Sequence, residues 1–240
     1  MNRGATLRQD ACPLNNAPFP GAQSGYAAVM SSPKDIAKEL LHRAGTTYAE
    51  AAGITLKDTP KPLFQLLVLC MLASKPIDAD IAVQAARELF EAGLRTPDAV
   101  LDADRKTMID AFGRASYARY DESSATRLTE MATKVHDEYR GDLRNLADVS
   151  GKDPNEAARL LQRFTGIGAT GANIFLREVQ AVWPWVRPYF DDRTLETARE
   201  LGLPADAEKL GELADGDTAG LAAALVRASL NEELRTALAP

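Results

Sequence analysis

From Ser32 onward, apolar positions along this chain recur every three to four residues, and the polar positions between them carry helix-start signals. Ser32 offers a capping hydroxyl, Pro33 takes a first helical position where its missing N–H costs nothing, and Asp35 stands where a capping box needs an acid. Ile36, Leu40 and Leu41 continue one face to about Ala44, and a short helix is expected over Tyr48 to Ala52. Thr59-Pro60-Lys61-Pro62 interrupts the chain. Leu63 to Ala73 is almost continuously apolar, a length that suits a buried strand or a buried helix. No strand candidate lies nearby, so the pattern predicts a buried central helix, ended by Ser74-Lys75-Pro76. Asp78 can cap the next helix, with Ile81, Ala85, Leu89 and Phe90 on one face.

The same rhythm predicts helices opening at Thr96-Pro97 and Asp104, a long one over 121–139, and one from Pro154 to near Phe164. After a tight turn, helix resumes from Ala169 to Val179. Trp183 to Pro188 reads as an extended loop, followed by helices at about 191–201, 206–214 and 218–238. The expected fold class is all-α with short connections. Residues 1–31 show no periodicity and contain Pro13, Pro18 and Pro20. They are expected to be a disordered N-terminal segment, or to precede a start at Met30.

Composition narrows the function classes. At 240 residues and 45% hydrophobic, the chain can bury one large core or two smaller ones. No apolar run approaches the roughly 18 residues of a membrane span, and the N-terminus lacks the apolar stretch of a signal peptide, so a cytoplasmic protein with no membrane partner is expected. Two cysteines, Cys12 and Cys70, cannot supply a four-cysteine zinc or iron–sulfur site, and both are read as free thiols. No metal ligand set is proposed. The net charge of −6 argues weakly against nucleic acid, but residues 201–240 alone carry three basic and seven acidic side chains. Residues 159–193 hold Arg159, Arg163, Arg177, Arg187 and Arg193 against three acids, a small local excess that also fits ordinary solvated arginines.

That excess surrounds the most informative segment, Leu161-Gln-Arg-Phe-Thr-Gly-Ile-Gly-Ala-Thr-Gly-Ala-Asn173. Gly166 and Gly168 flank Ile167 between two amphipathic helices. Glycines permit unusual backbone angles and remove Cβ atoms that would hold a phosphate away, while Ile167 can anchor the turn in the core. The amides of Thr165 to Thr170 then open at a helix N-terminus, where an anion is favoured. A Gly-apolar-Gly turn alone is weak evidence, because many helix–helix turns contain one.

The segment resembles the helix-hairpin-helix motif of the endonuclease III superfamily of DNA glycosylases, and the resemblance continues on both sides. Pro62 to Ser74 looks like that family's first barrel helix, and Thr96 to Asp104 like its Thr-Pro helix start. Phe112-Gly113 with Tyr117 to Tyr120, and Tyr139 to Leu143, look like two of its turns. Phe190-Asp-Asp-Arg-Thr-Leu195 through Leu203 looks like its aspartate-bearing stretch. The matches run in order over roughly residues 60–205. The resemblance implies a two-lobed helical fold: a barrel over 61–179 carrying the hairpin, and a second lobe from 32–60 plus 180–240. It also implies double-stranded DNA with a damaged base as partner, a monomeric protein, and a monovalent cation held by hairpin carbonyls.

By the same resemblance the catalytic aspartate is Asp191, which reads equally as the N-cap of the following helix. Thr170 stands where lyase-active members carry a nucleophilic lysine, and a threonine cannot form an imine. Lys75 stands where a glutamine usually fills the space left by a flipped base, and Arg193 replaces a histidine while keeping a phosphate contact in kind. The four-cysteine cluster loop has no counterpart. The expected DNA-binding set is therefore Thr165, Gly166, Ile167, Gly168, Thr170, Arg193 and Lys75, with Asp191 as catalytic residue. Two functions follow: a monofunctional DNA N-glycosylase of base excision repair that releases a damaged, for example alkylated, base; or a non-catalytic DNA-structure binder that kept the fold. Either way the cysteine count predicts that the purified protein is colourless and free of stoichiometric iron by elemental analysis, and brown, iron-loaded protein would overturn this reading.

Overall fold

The computed structural model describes residues 32–238. The expectations placed on residues 1–31, including Cys12 and Met30, lie outside the described residues, as do 239–240. Among the described residues every regular element is helical. The chain runs through α1 (Pro33–Ala44), α2 (Tyr48–Ala51), α3 (Pro60–Ala73), α4 (Ala79–Glu91), α5 (Pro97–Asp102), α6 (Arg105–Arg114) and α7 (Asp121–Tyr139). It continues through α8 (Asn145–Val149), α9 (Pro154–Leu161), α10 (Ala169–Val179), α11 (Asp192–Glu200), α12 (Ala207–Leu213), α13 (Thr218–Leu230) and α14 (Glu232–Leu238). No helix of the described residues is long and apolar enough to cross a membrane.

The start signals act locally as written. Ser32, Thr47, Asp78, Thr96, Asp104 and Asp191 each accept a backbone N–H of the helix they open, satisfying donors that a helix start leaves unpaired. α3 is the buried central helix: its residues from Leu63 to Leu72 are all buried, and it packs between α4 and α10.

Two hydrophobic cores form. The larger extends from Ala49 to Val186 around α3, and the smaller joins α1 to Phe190 and α11–α14. Ala49, Ala52 and Ile54 pack in the larger core, so α2 sits apart from α1, with which the sequence pattern groups it. The cause is Glu178, which accepts the N–H groups of Tyr48 at 3.1 Å and Ala49 at 2.9 Å and holds the start of α2 against α10.

Four further local departures have visible causes. α9 stops at Leu161, because Phe164 turns inward and stacks on Tyr139 with ring centroids 5.8 Å apart. The expected helix over 218–238 is two helices. Asn231 is extended at φ −123°, ψ 105° and its side chain accepts the N–H of Leu234, capping α14. α8 lies where no helix is expected, after the left-handed Arg140 at φ 55° has closed α7. The stretch from Trp183 contains a short 3₁₀ turn, Pro184–Val186, rather than being extended throughout.

Trp183 is buried in the larger core, where it donates to Asp58 at 2.9 Å and stacks on Trp185 at 5.1 Å. The tryptophans therefore pack the fold and line no cleft described below. Glu178 itself is 3% exposed, and burial pushes its carboxyl above the ordinary value of 4.5, against the opposing pull of the two α2 amides. A carboxyl raised on folding contributes fully below its unfolded value and loses that contribution as pH climbs through the folded value. Glu178→Gln removes the titration. The stability margin of wild type over this variant should therefore shrink as pH rises from about 4 to about 8 in urea denaturation; a margin that widens with pH would contradict the burial argument.

Candidate functional site

Between the C-terminal end of α3 and the N-terminal ends of α10 and α11 lies a cleft of about 480 Å³. Lys75, Thr170, Asp191 and Arg193, separated by up to 118 positions in sequence, all line it, together with Asn173 and Arg177. The turn carrying Thr165 to Gly168 leads directly into α10, whose Thr170 forms part of the cleft wall. The structure thus brings four of the predicted side chains to one place, whereas those of Thr165 and Ile167 do not line it.

Within the turn the two glycines do different work. Gly166 has φ +92°, a backbone state that L side chains rarely adopt. A Cβ there would also lie 2.8 Å from Cδ of Arg127 and 3.4 Å from Met71. Gly168 corrects the sequence expectation: at φ −95° it needs no special freedom, and a Cβ there would meet nothing within 4 Å. What Gly168 leaves is bare space before the amides of α10, which has no side-chain cap at its N-terminus. Ile167 is buried, as the pattern requires, while Thr165, Gly168 and Thr170 are exposed. The arrangement suits an anion approaching exposed amides at the positive end of a helix.

Gly171 has a packing role that the sequence comparison alone misses. A Cβ there would collide with Oγ of Ser74 and come within 3.1 Å of Ile167, so glycine lets α10 lie close on α3.

Asp191 is the N-cap of α11, with Oδ1 accepting the Thr194 N–H at 3.2 Å. Its Oδ2 accepts from the guanidinium of Arg177, and each side chain of this ion pair is 8% exposed. Sequence reasoning misses this pair, because Arg177 reads as one more surface arginine near a helix end. Tyr189 stands beside it, donating to Asn173 at 2.8 Å; burial, with Asp191 nearby, pushes its phenol up to about 12, so it stays a neutral donor.

The five arginines of residues 159–193 are not a free basic face. Arg159 pairs with Glu156, Arg163 lies 3.8 Å from Glu138, Arg177 pairs with Asp191, and Arg187 donates to the carbonyls of Gln180 and Ala181. Only Arg193 has no ion-pair or hydrogen-bonding partner for its guanidinium among the described residues. Lys75 is half-buried, with its ammonium 5.6 Å above the Tyr120 ring. Arg127, unmarked by any sequence pattern, reaches the glycine turn from α7 and forms no ion pair among the described residues. Cys70 is buried beneath this region, and burial raises its thiol well above its ordinary value, which suits packing rather than reactivity.

Compared with known proteins, the chain matches no family model, no curated protein and no solved structure.

The glycine geometry yields a paired prediction. Gly166→Ala should cost about 1–2 kcal/mol of stability for the left-handed backbone alone, and more for displacing Arg127. Gly168→Ala strains nothing and exchanges one N-cap residue for a poorer one, so it should cost less than Gly166→Ala, no more than about 1 kcal/mol. Chemical denaturation of both variants checks this, and equal losses would show that the two positions are strained alike.

Proposed function

We propose that the chain is a monofunctional DNA N-glycosylase with a helix-hairpin-helix, endonuclease III-like fold. One observation carries the reading: Lys75, Thr170, Asp191 and Arg193 converge on a single cleft beside an uncapped, anion-ready turn. A volume of about 480 Å³ is within the roughly 300–1,000 Å³ of small-ligand pockets and admits one extruded nucleotide. The turn from Thr165 to Thr170, with Arg193, Lys75 and Arg127 around it, would hold backbone phosphates without reading sequence.

In the cleft Asp191 would stabilise positive charge on the sugar as the bond from C1′ to the base breaks. Water would add at C1′ and pass its proton to the carboxylate; the base would leave with the electron pair of the broken bond and take up that proton from the carboxyl through solvent, which returns Asp191 to its ionised form. A carboxylate offers about four lone-pair sites, and the cap and the Arg177 pair use two of them. The others are left for this work. Thr170 supplies no amine, so no strand cleavage follows base release. The carbonyl oxygens of Thr165 and Ile167 accept no hydrogen bond from the described backbone, so they would be the groups to hold a monovalent cation, which would supply positive charge for an anion at the turn.

A second reading rests on the Arg177–Asp191 pair. A carboxylate already balanced by a guanidinium and only 8% exposed also suits a helix cap in a DNA-structure binder without chemistry. Base-release assays on duplexes carrying single lesions separate the two. For the enzyme, Asp191→Asn should lower base release at least a hundredfold while DNA affinity stays the same or rises, because a negative charge is lost. Borohydride should trap no adduct with wild type. Thr170→Lys should yield trapping only if the new amine is desolvated enough to be neutral. Wild type that binds duplex but releases no base from any lesion establishes the binder.

A further inference from the structure

A second cavity, of about 620 Å³, opens at the other end of α3. Lys57, Lys61, Arg87 and Arg95 line it, opposed by the single carboxylate of Glu91. Four cations around one concavity in a chain of net charge −6 are a local reversal of the molecule's charge. Arg87 and Arg95 are fixed there by their Nε groups, which donate to the carbonyls of Ala51 at 2.7 Å and Phe90 at 2.6 Å. Their remaining guanidinium N–H groups make no hydrogen bond among the described residues.

Gln65 supplies the independent observation. It lies in the middle of an otherwise apolar buried run of α3, is 7% exposed, and lines this cavity. Its amide has no hydrogen-bond partner among the described residues, although buried side-chain polar groups are almost always paired. No described buried polar atom is sealed off without a partner, so the Gln65 amide opens onto the cavity. α3 also begins here with no side-chain cap on Thr59, and because Pro60 and Pro62 have no N–H, Lys61 carries the one free amide of its first turn.

We propose that this cavity binds a phosphate-bearing ligand. Lys57 and Lys61 supply mobile charge, Arg87 and Arg95 planar donors, and Gln65 a hydrogen bond at the floor. The site is separate from the cleft at the other end of α3: the nine residue steps from Gln65 to Ser74 span about 13 Å of helix. It does not depend on the glycosylase reading.

The test titrates the full chain with inorganic pyrophosphate by calorimetry, at fixed ionic strength with chloride as the balancing anion. Saturable one-to-one binding is expected. The Lys57→Ser/Lys61→Ser variant should weaken it at least tenfold, and Gln65→Leu severalfold, each lost charge-assisted contact accounting for about a factor of ten. Leucine fits an apolar helix, so Gln65→Leu should fold at least as stably as wild type, which separates loss of binding from loss of structure. A parallel arm measures duplex DNA affinity of the lysine variant. A parallel fall marks the phosphate as part of a nucleic acid; unchanged duplex binding marks a free phosphorylated ligand; both support the site. Absence of saturable pyrophosphate binding, or binding that both variants leave intact, would overturn it.

Discussion

The last turn of α10 and its C-cap carry Arg177, Glu178 and Gln180, three polar side chains no more than 7% exposed, and each reaches a different part of the molecule. Glu178 holds the first amides of α2, and Arg177 holds Asp191 at the start of α11. Gln180 donates to the carbonyls of Arg177 and Tyr189 and accepts the N–H of Tyr189. One helix end thereby fixes the approach of the segments on both sides of the larger core and the entry into the smaller one. Buried polar groups left unpaired cost about 1–3 kcal/mol each, so these contacts specify a single arrangement rather than merely adding stability. The N-terminal end of the same helix bears the glycine turn. α10 is therefore a rod with the anion-ready turn at one end and the structural tie at the other, and the cleft lies along its side.

This explains why the smaller core and the cleft are coupled. Asp191 caps α11, pairs with α10 and lines the cleft, and α11 packs on α13 in the smaller core. A carboxylate with these duties is positioned to within the tolerance of two hydrogen bonds. That is the kind of support a reacting group requires, since its own rotamer must be set by neighbours. The same support restricts access, so under the proposed function the balance between chemistry and capping at Asp191 would depend on how far Arg177 yields to an entering nucleotide.

Much of the helix order was legible because its signals are local. Ser32, Asp78, Thr96 and Asp104 announce their helices by short-range hydrogen bonds to amides two or three residues on, and the apolar run of α3 can only be buried. The breaks at Asn231 and Leu161 were not legible from periodicity, because a capping side chain and one inward-turning ring decide them. At the site, the convergence of Lys75, Thr170, Asp191 and Arg193 was anticipated from an ordered resemblance, not from spacing. The Arg177–Asp191 pair, the approach of Arg127 to Gly166 and the exposure of Gln65 to a basic cavity escaped, since partners 14 or 39 positions apart, or no partner at all, leave no mark on a helical repeat.

Net charge misleads here for a physical reason. A charge of −6 summed over the chain says little about the field at a cleft, because paired charges cancel within a few ångströms while unpaired ones do not. Four of the five arginines around the glycine turn are engaged by carboxylates or carbonyls, so the one-dimensional excess overstates the basic face. The cations at the turn and cleft without an ion-pair partner among the described residues come from three different helices or helix ends: Arg193 and Lys75 line the cleft, and Arg127 lies against Gly166 of the turn. The acidic excess of residues 201–240 belongs largely to helices of the smaller core, where two of its members act as caps: Asp206 accepts the N–H of Lys209 and Asp217 that of Gly220. Capping carboxylates spend their charge on helix N-termini, which further decouples the tail's formal charge from the field over the turn.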